Sequence, residues 1–199
     1  MAKRGRLIVS SAPSGAGKTT VVDHLLRQNK NLRRSVSYTT RLPRKNERNK
    51  RDYFFVSRKE FLSKKKKGFF LESADVFGCF YGTSKKFVLE KIRRGLNLIL
   101  VIDVQGMKQL ERKKRSEIPM ISIFLMPPSM SILKRRLEKR KTETKEQIQK
   151  RLKIAKREVK ERSRYDFVIV NQKAVEAVKQ IERILEDDYS IGGTLEKRR

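Results

Sequence analysis

Short, nearly continuous apolar runs alternate along the chain with stretches in which apolar residues recur every three or four positions. Gly5 to Ser10, Leu96 to Ile102, Met120 to Met126 and Asp166 to Val170 are runs of the first kind and predict strands, the last three buried. The second kind begins at Lys18, where Val21, Val22, Leu25 and Leu26 mark a helix face. It returns after Pro127-Pro128, where Ser129 is a good cap for a helix starting near Met130. From Thr144 to Ser163, Ile148, Leu152, Ala155 and Val159 form a narrow stripe on a basic helix, and Val175, Val178, Ile181, Ile184 and Leu185 predict a last amphipathic one. Strands alternating with helices imply an α/β fold with a mostly parallel sheet.

Residues 31 to 52 differ in kind: polar, basic and broken by Pro43, they are expected to be an excursion from the core and not a core element. Tyr53 to Ser57 reads as a strand, Lys59 to Lys67 as a short helix, and Phe69 to Tyr81 as aromatics parted by Gly78, so a small sheet-containing sub-region is expected there. The C-terminal IGGTLEKRR reads as a frayed tail.

At 199 residues the chain is one domain with mobile sub-regions, able to bury roughly 70% of the surface its unfolded form exposes. Cys79 is the one cysteine, which excludes a disulfide scaffold and fits a reducing compartment; cytoplasm is the expectation. The basic N-terminus has no signal-peptide apolar region, and Leu98 to Ile102 is far shorter than the roughly 20 residues a membrane span needs. A soluble protein is expected.

Charge adds a second theme. The chain carries 51 Lys and Arg against 22 Asp and Glu, for +29, and an isoelectric point near 10.6. That excess suits nucleic acid, as a charge-driven secondary partner, or an anionic metabolite. Phe54, Phe55, Phe69, Phe70, Phe80 and Tyr81 would stack bases in the first case and build a small core in the second. The runs Lys64 to Lys67 and Lys134, Arg135, Arg136, Lys139, Arg140, Lys141 also fit solvated helix faces.

The segment between the first strand and first helix carries chemistry. Ala12-Pro13-Ser14-Gly15-Ala16-Gly17-Lys18-Thr19 matches GxxxxGK[ST] except that Ala12 replaces the leading glycine; Thr20 follows. Gly15 and Gly17 allow successive N–H groups to turn inward as an anion nest, and the helix N-terminus adds its positive dipole end. Lys18 supplies a point charge for the β- and γ-phosphates, and the Thr19 hydroxyl suits Mg²⁺. Asp103, ending a second buried strand, is a candidate second acid. A nucleoside triphosphate site is expected.

The spacing of Ser37-Tyr38-Thr39-Thr40-Arg41-Leu42-Pro43-Arg44, Tyr53, Glu72, Phe77-Gly78-Cys79-Phe80-Tyr81-Gly82-Thr83-Ser84 and Ile102-Asp103-Val104-Gln105-Gly106 resembles the guanylate kinase family, from Leu7 to about Asn171. The resemblance implies a P-loop kinase fold with a core (1–34, 96–128, 164–190), a GMP-binding region (35–95), a helical lid (129–163) and a flexible tail (191–199). It implies Mg²⁺-dependent transfer of the ATP γ-phosphoryl to GMP, with dGMP also accepted, and closure of region and lid on the substrates. It further implies that Ser37, Arg41, Arg44, Tyr53 and Tyr81 hold the GMP phosphate, that Glu72 and Thr83 read the guanine, and that Asp103 contacts GMP and the metal. Arg136, Arg140 and Arg151 would close over the transferring phosphate, while Ala12 to Thr20 and Asn171 would bind ATP. A carboxylate at Glu72 can accept from both N1–H and the 2-amino group of guanine, whereas adenine has no N1–H to offer. Departures from the family pattern fall at Val101, where an acid is usual, and at Lys50 and Lys141, where glycines are usual. The lone His24 reads as a helix-face residue. The rival expectations are a non-catalytic binding module and a nucleic-acid-binding protein.

Overall fold

The computed structural model describes residues 5–112, 118–139 and 143–190. Five strands form one sheet: β1 (Leu7–Ser11), β2 (Leu32–Arg34), β7 (Asn97–Val101), β8 (Met120–Met126) and β9 (Phe167–Val170), in the order β2-β7-β1-β8-β9. β2 runs parallel to β7, and β8 parallel to β9. A second sheet has the order β4-β3-β6-β5, from β3 (Tyr38–Thr39), β4 (Phe54–Phe55), β5 (Phe70–Val76) and β6 (Cys79–Ser84). The helices are α1 (Lys18–Gln28), α2 (Arg58–Lys66), α3 (Lys85–Arg93), α4 (Val104–Arg112), α5 (Met130–Glu138), α6 (Lys145–Lys160) and α7 (Ala174–Ser190). This is the α/β class that the alternating pattern predicts.

Packing divides the described residues into two compact units, one drawn from Met1–Ile8 and Asn31–Met120, the other from Val9–Lys30 and Ile121–Arg199. In the first, β7 is buried on both faces (Leu98, Ile99, Leu100), as are Val88 and Ile92 of α3 and Met107 and Leu110 of α4. The small sheet has its own aromatic core: Phe61 of α2 stacks on Phe70 at 4.5 Å and on Phe80 at 5.4 Å, and Tyr38 stacks on Phe54 at 4.6 Å. The rings the sequence leaves open to base stacking are therefore packed on one another. Each such ring or aliphatic side chain taken fully out of water contributes about 1.5–3 kcal/mol. The β5–β6 hairpin turns at Phe77 and Gly78 with φ 54° and 80°, the left-handed pair of a tight two-residue turn.

In the second unit α1 buries Val21, Val22 and Leu25 and packs on α7, which buries Ala177, Val178, Ile181 and Leu185. Phe124 of β8 lies 4.9 Å from the Tyr165 ring. Leu133 and Leu137 of α5 and Ile148 and Ala155 of α6 form a separate buried cluster. α5 starts where its expected cap places it, Ser129 Oγ accepting from Ile132 N–H, and at the start of α6 Thr144 and Gln147 cap each other's backbone in a capping box.

Three expectations are corrected: β9, expected to be buried, is an edge strand in which Ile169 is buried while Val168 and Val170 are 44% and 49% exposed. Residues 31 to 52 are not wholly outside the core, because Leu32–Arg34 is the edge strand of the larger sheet, with Leu32 buried and Arg33 exposed. Three residues with one apolar position are too few for alternation to register. The strand expected over Tyr53 to Ser57 is confined to Phe54–Phe55, since Ser57 instead caps α2 by accepting from Glu60 N–H. The C-terminal IGGTLEKRR lies outside the described residues.

Lys50, standing where the family has glycine, adopts φ 65°, the left-handed region, in a turn closed by Lys50 N–H to the Tyr53 carbonyl at 2.8 Å. Lys50→Gly is expected to stabilise the protein by about 0.5–1 kcal/mol, the strain relieved less glycine's extra freedom when unfolded. A rise in the urea midpoint at unchanged slope would show it; a fall would mean that the lysine side chain holds the turn.

Candidate functional site

In the second unit the chain leaves β1 at Ser11 and enters α1 at Lys18 through the loop the motif predicts. Ala16 N–H donates to the Pro13 carbonyl at 3.0 Å, closing the loop on itself. Gly17 caps α1 with φ 89°, and no side chain caps that end of the helix. A Cβ on Gly17 would meet Asn171 Nδ2 at 2.5 Å, so glycine is needed for space as well as for conformation. Ala12, Pro13, Gly15 and Ala16 are buried, Lys18 is half-buried, and Thr19 and Thr20 are exposed.

Three distant residues fasten this loop. Asn171, at the end of β9 and 3% exposed, donates from Nδ2 to the Ala16 carbonyl at 2.7 Å, while its Oδ1 is buried with no donor. Arg136 of α5 donates to the carbonyls of Ala16 at 3.3 Å, Asn171 at 3.1 Å and Gln172 at 3.4 Å. Arg151 of α6 donates to Ser14 Oγ at 2.7 Å and pairs with Glu143. Arg136 and Arg151 are thus bound to the phosphate loop and its neighbour Asn171, and are not solvated helix-face charges. Arg140 and Lys141 lie outside the described residues.

The first unit holds a second cluster. Ser37 precedes β3, Arg41 follows it, Tyr53 precedes β4, and Tyr81 sits on β6 opposite Thr39, so strand pairing gathers the four from distant points in the sequence. Arg41 Nε donates to the Tyr81 hydroxyl at 3.2 Å, Arg41 Nη2 pairs with Glu47 at 2.8 Å, and the guanidinium lies 5.5 Å from the centre of the Tyr53 ring. Its bond to Glu47 outweighs desolvation and holds Arg41 protonated beyond an ordinary arginine. For Glu47 burial works against the charged form, but bonds from the Arg41 side chain and the Arg44 backbone win, so its pKa falls below the usual range. Burial, with the neighbouring Tyr81, raises the Tyr53 phenol, which therefore stays protonated as a donor. The Arg44 side chain is exposed, and its N–H donates to Glu47 Oε2 at 2.8 Å.

Beside this lies a buried polar chain. Thr83 is fully buried and Glu72 is 3% exposed; they face each other across the β5–β6 pair, with Thr83 Oγ1 donating to Glu72 Oε1 at 2.6 Å. Ser37 Oγ is 3.2 Å from Thr83 Oγ1. Buried donors and acceptors in an unbroken chain fix one another's orientation, so Glu72 is presented in a defined direction.

Asp103 plays a part its sequence position does not reveal. Its Oδ1 accepts from Gly106 N–H at 2.9 Å and its Oδ2 from Gln105 Nε2 at 3.1 Å, which makes it the cap of α4. Among the described residues no three His, Cys, Asp or Glu side chains gather as a metal cage. Glu47 escaped sequence reasoning, although an acid three residues after Arg44 in a basic loop is a usable signal. Gln105 and Gln109 of α4 carry no such signal, and their partners on β5 lie 30 and 36 residues away.

Comparison with known proteins identifies the family. The family described as guanylate kinase matches residues 4–188. The chain is 44% identical over 184 residues to a guanylate kinase of Wolbachia sp. subsp. Brugia malayi (strain TRS), covering 92% of this chain and 93% of that one. It is 46% identical over 184 residues to one of Malacoplasma penetrans (strain HF-2), with the same coverage. Among solved structures it is similar to the crystal structure of guanylate kinase from Anaplasma phagocytophilum, with a TM-score of 0.77, 37% identity, and coverage of 94% of this chain and 88% of that one.

Proposed function

Because the chain belongs to the guanylate kinase family of ATP:GMP phosphotransferases, we propose that the loop cluster of one unit binds ATP and the Glu72 and Arg41 clusters of the other bind GMP. The observation that carries the acceptor assignment is the buried Thr83–Glu72 pair, continued by half-buried Ser37, in the same unit as Arg41, Tyr53 and Tyr81. A carboxylate held by a hydroxyl in a dry site suits the adjacent N1–H and 2-amino donors of guanine. An always-charged guanidinium with the protonated Tyr53 phenol suits a phosphate dianion. On the donor side, the buried Asn171 Oδ1 without a donor fits the exocyclic amino group of adenine, and Lys18 with the α1 N-terminus fits the β- and γ-phosphates.

In the transfer, a phosphate oxygen of GMP forms a bond to the ATP γ-phosphorus as the bond from that phosphorus to the β-phosphate bridging oxygen breaks, giving GDP and ADP. The nucleophile is already anionic, so a general base is not needed, and His24 has no part in the chemistry. The protein's work is alignment and charge stabilisation, shared by Lys18, Arg41, Arg44 and the lid arginines Arg136, Arg140 and Arg151. Mg²⁺ requires few protein ligands when phosphates supply the rest. Exposed Thr19 fits that donor set; the ion, when bound, would neutralise charge on the β- and γ-phosphates. dGMP is accepted too on this reading, and the 35–95 and 129–163 segments serve as acceptor region and lid. Among the described residues no helix is long and apolar enough to cross a membrane. The single cysteine, Cys79, supports a cytoplasmic enzyme.

The test is ADP release from ATP and Mg²⁺ with GMP, AMP, CMP, UMP and dTMP offered separately. Turnover selective for GMP is expected. No turnover with any of them would overturn the reading and leave a non-catalytic binding module.

A further inference from the structure

β5 is an edge strand of the four-stranded sheet, and side chains of α4 meet its outward backbone groups. Gln109 Oε1 accepts from Ser73 N–H at 3.0 Å, and its Nε2 donates to the Ser73 carbonyl at 2.5 Å. One turn earlier, Gln105 Nε2 donates to the Asp75 carbonyl at 2.9 Å. A carboxamide offers donor and acceptor side by side, so Gln109 presents to β5 what a neighbouring strand would.

The residue so clamped adjoins Glu72, at a point where the ladder is irregular. Phe70 pairs with Ser84 and Glu72 with Thr83, which leaves Leu71 as an extra residue in β5. This bulge is why Leu71 and Glu72, consecutive in a strand, are both only 3% exposed. It also removes part of the ladder that would otherwise orient Glu72. α4 supplies a second constraint, because a Cβ on Gly106 would lie 2.7 Å from Glu72 Oε2. The helix backbone therefore abuts the carboxylate as closely as a glycine permits, and Asp103 fixes that turn by capping Gly106 N–H.

We propose that Gln109 and Gly106 are positioning residues for guanine selection: Gln109 clamps the backbone beside the bulge, Gly106 forms the wall behind Oε2, and both act through Glu72. The inference rests on the assignment of Glu72 to guanine. A carboxylate that must accept from two adjacent donors has to be held within about 0.5 Å and 10–20° of its productive pose. A loosened Glu72 would still meet N1–H but would lose the 2-amino group, which is what separates GMP from IMP.

The experiment compares Gln109→Met, which removes both bonds at similar volume, and Gly106→Ala with Glu72→Gln and the wild type, using GMP, IMP and ATP as varied substrates. Either α4 variant is expected to raise KM for GMP about three- to tenfold, the effect of one neutral hydrogen bond lost. The GMP-over-IMP preference should fall by a similar factor, with KM for ATP unchanged. Alanine favours a helix interior over glycine, so a loss in Gly106→Ala does not reflect a weakened helix. If Gln109→Met fails to fold, Gly106→Ala and Gln109→Glu, which keeps the acceptor for Ser73 N–H but sets an oxygen against the Ser73 carbonyl, decide the matter by the same readout. Should Glu72→Gln itself keep the guanine preference, the assignment of Glu72 is wrong and the positioning role goes with it. Should Glu72→Gln lose that preference while the folded α4 variants keep wild-type GMP kinetics, or raise KM for ATP in parallel, the positioning proposal alone is overturned.

Discussion

Glu72→Gln is expected to lower kcat/KM for GMP by about 10³-fold and to abolish most of the discrimination against AMP. The substitution keeps the side chain's shape and leaves Oε1 to accept from Thr83, so the buried pair at 2.6 Å survives and the fold is spared. What changes is the other end of the group. A carboxylate accepts from both guanine donors, whereas a carboxamide turns one of those contacts into donor against donor in a site where neither can turn to water. Losing a charge-assisted bond costs about 1.5–3 kcal/mol and stranding a buried donor about 1–3 kcal/mol, which together reach the stated factor. Steady-state kinetics with GMP and AMP measure it directly. A variant that keeps both rate and preference would show that the base is read elsewhere.

Lys18→Met should be the more damaging to the chemical step, with kcat reduced by about 10²–10³-fold, the usual loss when one preorganised charge is removed from a transferring group. Methionine keeps much of the apolar stem of a half-buried residue, so the loop anchored by Asn171, Arg136 and Arg151 has no packing reason to collapse. Calorimetric GMP affinity should stay at the wild-type value, because the Glu72 and Arg41 clusters belong to the other compact unit. A large fall in GMP affinity would place Lys18 on the acceptor phosphate, and unchanged turnover would remove it from the mechanism.

What the sequence made legible follows from how locally each feature is determined. Met120–Met126 could be read as a buried strand to the residue because nearly every position is apolar. Ser129 could be read as a cap because a cap is a short-range bond, from hydroxyl to an N–H three residues on. The phosphate loop is legible for the same reason: strand, glycines and helix are contiguous. Leu32–Arg34 was not, since its place in the sheet depends on β7, more than 60 residues later in the chain. Asp103 shows a subtler limit, for its position suggested a ligand and gave no sign of its bonds to Gly106 N–H and Gln105, which cap α4. Arg136 could equally have been a solvated charge until its carbonyl partners, 35 and 120 residues away, were seen. Glu47 and Gln109 belong with these: ordinary polar residues whose work is assigned by what the fold sets opposite them.

The carboxamides that line β5 bear on solubility as well as on selection. A seven-residue strand with its outer hydrogen-bonding groups bare is a template on which a second copy can add a strand, the first step toward aggregation. With Ser73 and Asp75 already engaged by Gln109 and Gln105, that template is closed within the chain itself. Resistance to self-association and base selection therefore meet at Gln109, so a variant that relaxes base preference by losing that side chain would also open β5 to a second copy.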